Sequence, residues 1–252
     1  MKKILDPIFV IVIICVIFYL ITHQLPGYEE AMTKWFALFF PENPNFKSWQ
    51  FLTTMFMHGD FVHLALNMYA LWAFGTPLRE LWGSKRFLIF YFASGIGASF
   101  IYTAVNLFRF NRIEEKLESA GISGDQIDKM LTTGEYNTEV FNNFTAEQLL
   151  DFYQIYQVPA VGASGAIYGI LVAFGMMFPN AKLALIFLPV PIAAKYFVPV
   201  LVAIDLFSGV TGFSIFGHGI AHFAHVGGAV VGFILMMIWR KRYADMNNQP
   251  FV

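Results

Sequence analysis

Gly219-Ile220-Ala221-His222-Phe223-Ala224-His225-Val226-Gly227-Gly228-Ala229-Val230-Val231-Gly232-Phe233-Ile234-Leu235-Met236-Met237-Ile238-Trp239 is the stretch whose reading decides the fold. It is an apolar run interrupted only by two histidines, and roughly 20 such residues suffice for a helix to cross the hydrocarbon core. Ionisable side chains are costly at that depth, so His222 and His225 are functional candidates by position alone. Gly228 and Gly232 are four apart, lie on one helix face and let a second backbone approach closely. The whole chain agrees, with 57% hydrophobic, 18% aromatic and only 13% charged residues, where soluble domains carry about 25% charged. An all-α polytopic membrane protein is predicted.

Outward from that run, five more spans can be drawn: about Pro7 to Ile21, Thr53 to Phe74, Phe87 to Leu107, Ala163 to Phe178 and Tyr196 to Phe207. Pro189, Pro191 and Pro199 punctuate the apolar stretch from Leu183 onward. Leu183 to Ala194 is therefore expected to be a loop or an interfacial segment. With the N-terminus inside, Lys2, Lys3, Arg79, Lys85, Arg86, Lys182, Lys195, Arg240, Lys241 and Arg242 collect on the cytoplasmic side. This positive-inside bias places both termini in the cytoplasm. No small-residue cleavage pattern follows the first apolar run, so it reads as a retained helix rather than a signal peptide. The two-lysine start and the lack of transit-peptide character point to a bacterial inner (plasma) membrane. Cys15 is the single cysteine, which excludes an intrachain disulfide framework.

Two segments between spans are long. Residues 26–50 form an outer loop whose Trp35, Phe36, Phe39, Phe40 and Trp49 suit the headgroup region. Residues 108–158 are polar and acidic and form an extramembrane insertion expected to hold two or three short helices. Ser123 and Thr145 are candidate N-caps there, and Thr145 with Gln148 fits a capping box. Asn143-Phe144-Thr145 also matches a glycosylation sequon, a pattern common by chance.

The ionisable and polar side chains singled out in the spans are Asp60, His63, Asn67, Ser164, Asp205, His222 and His225. Once the topology is set, all fall toward the outer ends of their helices and converge on one level. Ser164 sits in Gly162-Ala163-Ser164-Gly165-Ala166-Ile167-Tyr168-Gly169. That stretch can be read as a plain helix-packing face or as a nucleophile brought to a base by two glycine-rich helices. His63 and Asn67 share a helix face, which suits either an interhelical hydrogen bond or donors aimed at a developing oxyanion. Asp205 is set aside, because it precedes a loop and can cap or pair near the interface. A zinc site from His58, His63, His222 and His225 would lack cysteine ligands and is not favoured. No metal, cofactor or nucleic acid is expected.

Taken together, Gly162-Ala163-Ser164-Gly165, Ala224-His225-Val226-Gly227-Gly228-Ala229-Val230-Val231-Gly232 and His63-Leu64-Ala65-Leu66-Asn67 resemble the three signature motifs of the rhomboid family, in family order. The resemblance runs from about Trp49 to Trp239. It implies a six-transmembrane-helix bundle, a single domain over 1–252, with the helical insertion between helices 3 and 4. The implied activity is intramembrane serine endopeptidase, hydrolysing peptide bonds in or near transmembrane segments of protein substrates amid membrane lipids. By position, Ser164 would be the nucleophile and His225 the base and then the acid, with no carboxylate third member. His63, Asn67 and the Ser164 N–H would form the oxyanion hole. Tyr168 would pack on the His225 ring, Gly162 belongs to the serine motif, and His58 would have a structural or water-holding role. Two departures stand out: Gln50 replaces the usual arginine after Trp49, removing its contact, and Arg79 stands where many members carry glutamate. Both put loop stability in doubt. The insertion borders the entry to the site and is expected to influence substrate access. The competing readings are a non-catalytic rhomboid-like binder of transmembrane clients and a proton-path transporter. Oligomeric state and substrate identity are not written in these residues.

Overall fold

The computed structural model describes residues 6–137, 142–185, 188–213 and 220–247, without the side chains of 184–185, 188–190 and 240–247. Lys2, Lys3 and Gly219 lie outside the described residues. Helix α1 (Pro7–Gln24) starts where the sequence provides a start, with proline in the first turn and Asp6 Oδ1 accepting from Ile8 N at 3.0 Å. The other carboxylate oxygen of Asp6 pairs with Arg79. The arginine that departs from the family pattern thus ties α1 to the helix that carries it.

A short helix α2 (Glu29–Phe36) and a single turn α3 (Gln50–Thr53), followed by a 3-10 turn over Thr54–Phe56, make up the outer loop and its exit. Gln50 is fully buried. Its amide nitrogen donates to Lys34 O (3.0 Å) and Asn45 O (2.9 Å), and its oxygen accepts from Phe39 N (3.3 Å) and Lys47 N (3.1 Å). With no arginine at this position, a neutral amide, which both donates and accepts, satisfies four backbone groups of the loop.

Helix α4 (Phe61–Ser119) is 59 residues long with one non-helical residue, Gly83, at φ 75 and ψ 161. That conformation is essentially closed to residues with a Cβ, so glycine sets the turn. Beyond it the second half doubles back, and Phe87 packs on Gly75 of the first half. The helix begins at Phe61, where the second span was expected from Thr53: Asp60 caps it by accepting from His63 N at 2.8 Å. The same helix runs on past Leu107 to Ser119.

The end of α4 is the first wall of the segment over residues 108–158, with α5 (Gly124–Thr133) and α6 (Ala146–Gln157) packed against it. Ser123 and Thr145 are the N-caps. Gln126 Oε1 accepts from Ser123 N (2.9 Å), and Thr145 and Gln148 exchange both capping-box bonds at 3.0 and 3.2 Å. This segment has its own apolar core, with Phe110 stacked on Phe152 and Phe40 against it. Arg109 grips both carboxylate oxygens of Asp151 at 2.8 and 2.7 Å.

Helix α7 (Ser164–Met177) leads to two strands, β1 (Lys182–Leu185) and β2 (Leu188–Ala193), paired antiparallel. Leu183 to Ala194, expected to be a loop or an interfacial segment, thus forms most of a short hairpin within a mostly helical protein. In a two-stranded ribbon each strand has a free edge, so Pro189 and Pro191 are tolerated. Helix α8 (Ala194–Thr211) starts two residues before the expected fifth span and carries Pro199 within it. Helix α9 (His222–Asn247) completes the chain's described part.

Helices α4, α7 and α9 form the centre by mutual packing. A Cβ at Gly228 would stand 1.8 Å from Gly165 O, and one at Gly232 would stand 2.6 Å from Gly169 Cα. The two glycine pairs therefore face each other backbone to backbone. Among the described residues, four helices are long and apolar enough to cross a membrane (Pro7–Gln24, Phe61–Ser119, Ala194–Thr211 and His222–Trp239), and Ser164–Met177 is a shorter apolar helix. The protein is an integral membrane protein built mainly of helices.

Candidate active site

The approach to Ser164 is an extended segment held from one side. Leu38 and Ala160 exchange backbone hydrogen bonds at 3.0 and 2.8 Å, Thr54 Oγ1 donates to Ala160 O at 2.6 Å, and Gly162 N donates to Thr54 O at 3.0 Å. Gly162 takes φ 127, and a Cβ there would lie 2.8 Å from His63 Nε2. Two constraints, backbone and space, require glycine at this position. The segment ends at the first residue of α7, so the Ser164 N–H is among the helix-start donors that lack an intrahelical acceptor.

Ser164 Oγ lies 2.8 Å from His225 Nε2. The backbone contact between the glycine pairs brings α7 and α9 close enough for this. Tyr168, one turn after the serine, stacks on the His225 ring with centroids 4.3 Å apart and planes at 12°. On the far side of that ring, Asp205 Oδ1 lies 3.0 Å from His225 Nδ1. Asp205, set aside on sequence grounds, is thus brought against the histidine ring. Six residues before its end at Thr211, α8 turns the carboxylate inward, 1% exposed. There it also meets His222 Nδ1 at 2.6 Å and accepts the Tyr168 hydroxyl on Oδ2. A carboxylate only accepts, so His225 presents Nδ1–H to it and keeps its Nε2 lone pair toward the Ser164 hydroxyl.

On the other side of Ser164, His63 Nε2 borders Gly162. Asn67 is buried, and its amide nitrogen donates to His63 O at 2.8 Å, one turn back on its own helix. The second amide N–H is left for another acceptor. His58 is 2% exposed, its ring 5.1 Å from that of His63, and its carbonyl faces His23 Nε2 at 3.0 Å.

The Rhomboid domain profile matches residues 45–242. The chain belongs to the rhomboid family. It is 27% identical over 220 residues to presenilin-associated rhomboid-like protein A, mitochondrial, of Danio rerio, covering 84% of this chain and 45% of that protein. The Rattus norvegicus presenilin-associated rhomboid-like protein, mitochondrial, is 26% identical over 236 residues, 91% and 47% of the two chains. Rhomboid protease GluP of Bacillus subtilis is 43% identical over 58 residues, 22% of this chain and 11% of that protein. The chain spans about half the length of the first of these relatives. The expectation of a bacterial inner membrane gains no support, since the relatives matched over most of this chain are mitochondrial.

This rhomboid also carries, beyond the residues singled out from the sequence, further buried polar side chains on α4. A small cavity of about 30 Å³, large enough for water, opens beside Ser164 between Thr54, Ser99, Tyr102, Gly162 and Ala224. Ser99, Thr103 and Asn106 are all buried along one face of α4. Their spacing of four and three was the available signal, a polar stripe in an apolar span. Hydroxyls escaped notice because they are cheaper to bury than charges. As for metals, the described residues bring Asp205, His222 and His225 within 4.8 Å of one another, rather than His58 and His63 with the other two. Asp205 Oδ1 already contacts both imidazoles, which is the arrangement of a hydrogen-bonded carboxylate.

Proposed function

We propose that this rhomboid is an intramembrane serine endopeptidase that hydrolyses peptide bonds in or near transmembrane segments of membrane proteins. The observation that carries the reading is the contact of Ser164 Oγ with His225 Nε2 at 2.8 Å, backed by Asp205. Splitting α4 at Gly83 and adding the apolar α7 to the other long helices gives six spans, with residues 108–158 as the insertion between the third and fourth.

In this mechanism, Ser164 Oγ attacks the scissile carbonyl while its proton passes to His225 Nε2. Asp205 orients the ring and stabilises the imidazolium that forms. The carbonyl oxygen becomes an oxyanion and is met by the Ser164 N–H, His63 Nε2–H and the free amide N–H of Asn67. The tetrahedral adduct collapses, the C–N bond breaks, and His225 returns the proton to the leaving amine. Water from the adjoining cavity then attacks the acyl-enzyme, giving its proton to His225, and Ser164 is regenerated with a free carboxyl product.

The test is cleavage of model single-span substrates by the purified protein in proteoliposomes. Specific cleavage lost in Ser164→Ala supports the proposal. Equal cleavage by Ser164→Ala overturns the serine mechanism, and client binding without cleavage by the wild type overturns the protease reading in favour of a non-catalytic binder of transmembrane clients.

A further inference from the structure

The mechanism uses one histidine of α9, yet the structure builds a second into the same hydrogen-bond cluster. His222 is buried at 8% exposure, and its Nδ1 lies 2.6 Å from Asp205 Oδ1, closer than His225 Nδ1 at 3.0 Å. The two histidines are three residues apart and so point from one face of α9 toward α8. Their rings are 6.4 Å apart and nearly perpendicular, at 87°. They do not stack; what they share is one carboxylate oxygen.

We infer that His222 is a positioning residue for the proposed hydrolysis, acting through Asp205 to hold His225 in the tautomer that can accept the serine proton. The inference rests on the protease reading above and deepens it. Asp205 is almost wholly removed from solvent, and a carboxylate there stays ionised and correctly turned only if donors surround it. Three do: His222 and His225 on Oδ1, and the Tyr168 hydroxyl on Oδ2. Each donor fixes the orientation of the carboxylate and draws electron density from it. With His222 donating, Asp205 accepts a hydrogen bond from His225 Nδ1 without removing its proton. Without His222, Oδ1 loses its nearer donor, and the carboxylate can rotate away from His225 or take up a proton. Either event releases Nδ1–H and lets His225 carry its proton on Nε2, where it cannot act as a base toward Ser164.

This predicts a kcat effect with little change in KM, because His222 acts through Asp205 on the base. His222→Leu is expected to lower kcat between roughly 10- and 10³-fold, less than the roughly 10⁴-fold that a wrong base tautomer costs soluble serine proteases. His222→Asn can place an amide N–H where Nδ1–H stood and is expected to stay within a few fold of wild type. His222→Gln places its amide farther out and is expected to fall with His222→Leu. A role in packing alone would make Asn and Gln equally harmful, which would overturn the inference.

A second measurement does not depend on protease activity. In the Ser164→Ala background with ¹⁵N-labelled histidine, ring ¹⁵N chemical shifts report which His225 nitrogen carries the proton. The Nδ1–H form is expected with His222 or His222→Asn in place, and a mixture or the Nε2–H form with His222→Leu or His222→Gln. Unchanged His225 shifts across all four proteins would overturn the inference. Absence of cleavage by the wild type would instead remove the protease reading while leaving the tautomer result interpretable.

Discussion

The two sides of Ser164 are built differently. On the α8–α9 side every functional group is already engaged: Oγ with His225, His225 with Asp205, and Asp205 with His222 and Tyr168. On the α4 side, His63 borders Gly162 and the amide of Asn67 is spent on the His63 carbonyl, with one N–H in reserve. The difference teaches how the proposed chemistry would be divided. The base must be oriented before substrate arrives, because a misplaced proton stops the first step. The oxyanion donors are needed only when negative charge develops, so their apo geometry can be looser.

That contrast can be broken most severely by separating the helices that create it. Gly228→Val would push a side chain into Gly165 O, a backbone atom with no room to move. Loss of folded, detergent-stable protein is expected, read by size-exclusion profile and thermal denaturation. Next in size, Asp205→Asn keeps shape but cannot serve as the same acceptor. A fall in kcat of roughly 10³- to 10⁴-fold is expected, by the measure of soluble triads, with folding intact by circular dichroism. A loss under tenfold would show that Ser164 and His225 work as a pair without the carboxylate.

The other side should yield less. His63→Ala and Asn67→Ala are each expected to lower kcat by about 10²- to 10³-fold, with little effect on the His225 ring shifts. Smallest for activity and confined to stability is Gln50→Leu. It strands four backbone groups of the outer loop, and each unsatisfied buried group costs about 1–3 kcal/mol. A Tm lowered by several degrees with unchanged turnover per folded molecule is expected. A large kcat loss there would mean that the loop reaches the chemistry through the Leu38–Ala160 pairing.

Much of this was legible in the sequence, and the reasons are physical. Ser164 and His225 stand in glycine-rich apolar runs, where a polar side chain is conspicuous and the glycines announce a close helix contact. Ser123 and Thr145 were readable as caps because capping chemistry is local. Asp205 was not readable in its role, since its partners lie 17, 20 and 37 residues away on other helices, and no spacing rule links them. The hairpin of β1 and β2 was missed because prolines argue against a helix without saying what replaces it. The repair by Gln50 was invisible for a related reason: a departure from a pattern shows what is lost, while the substitute's four bonds exist only in the folded loop.

The most direct measurement is covalent labelling of the purified protein with a fluorophosphonate, followed by peptide mass spectrometry. The adduct is expected on Ser164, absent in Ser164→Ala and strongly slowed in His225→Ala, with protein folded in every case. Labelling elsewhere, or labelling of Ser164 at the same rate without His225, would contradict a nucleophile activated by this histidine.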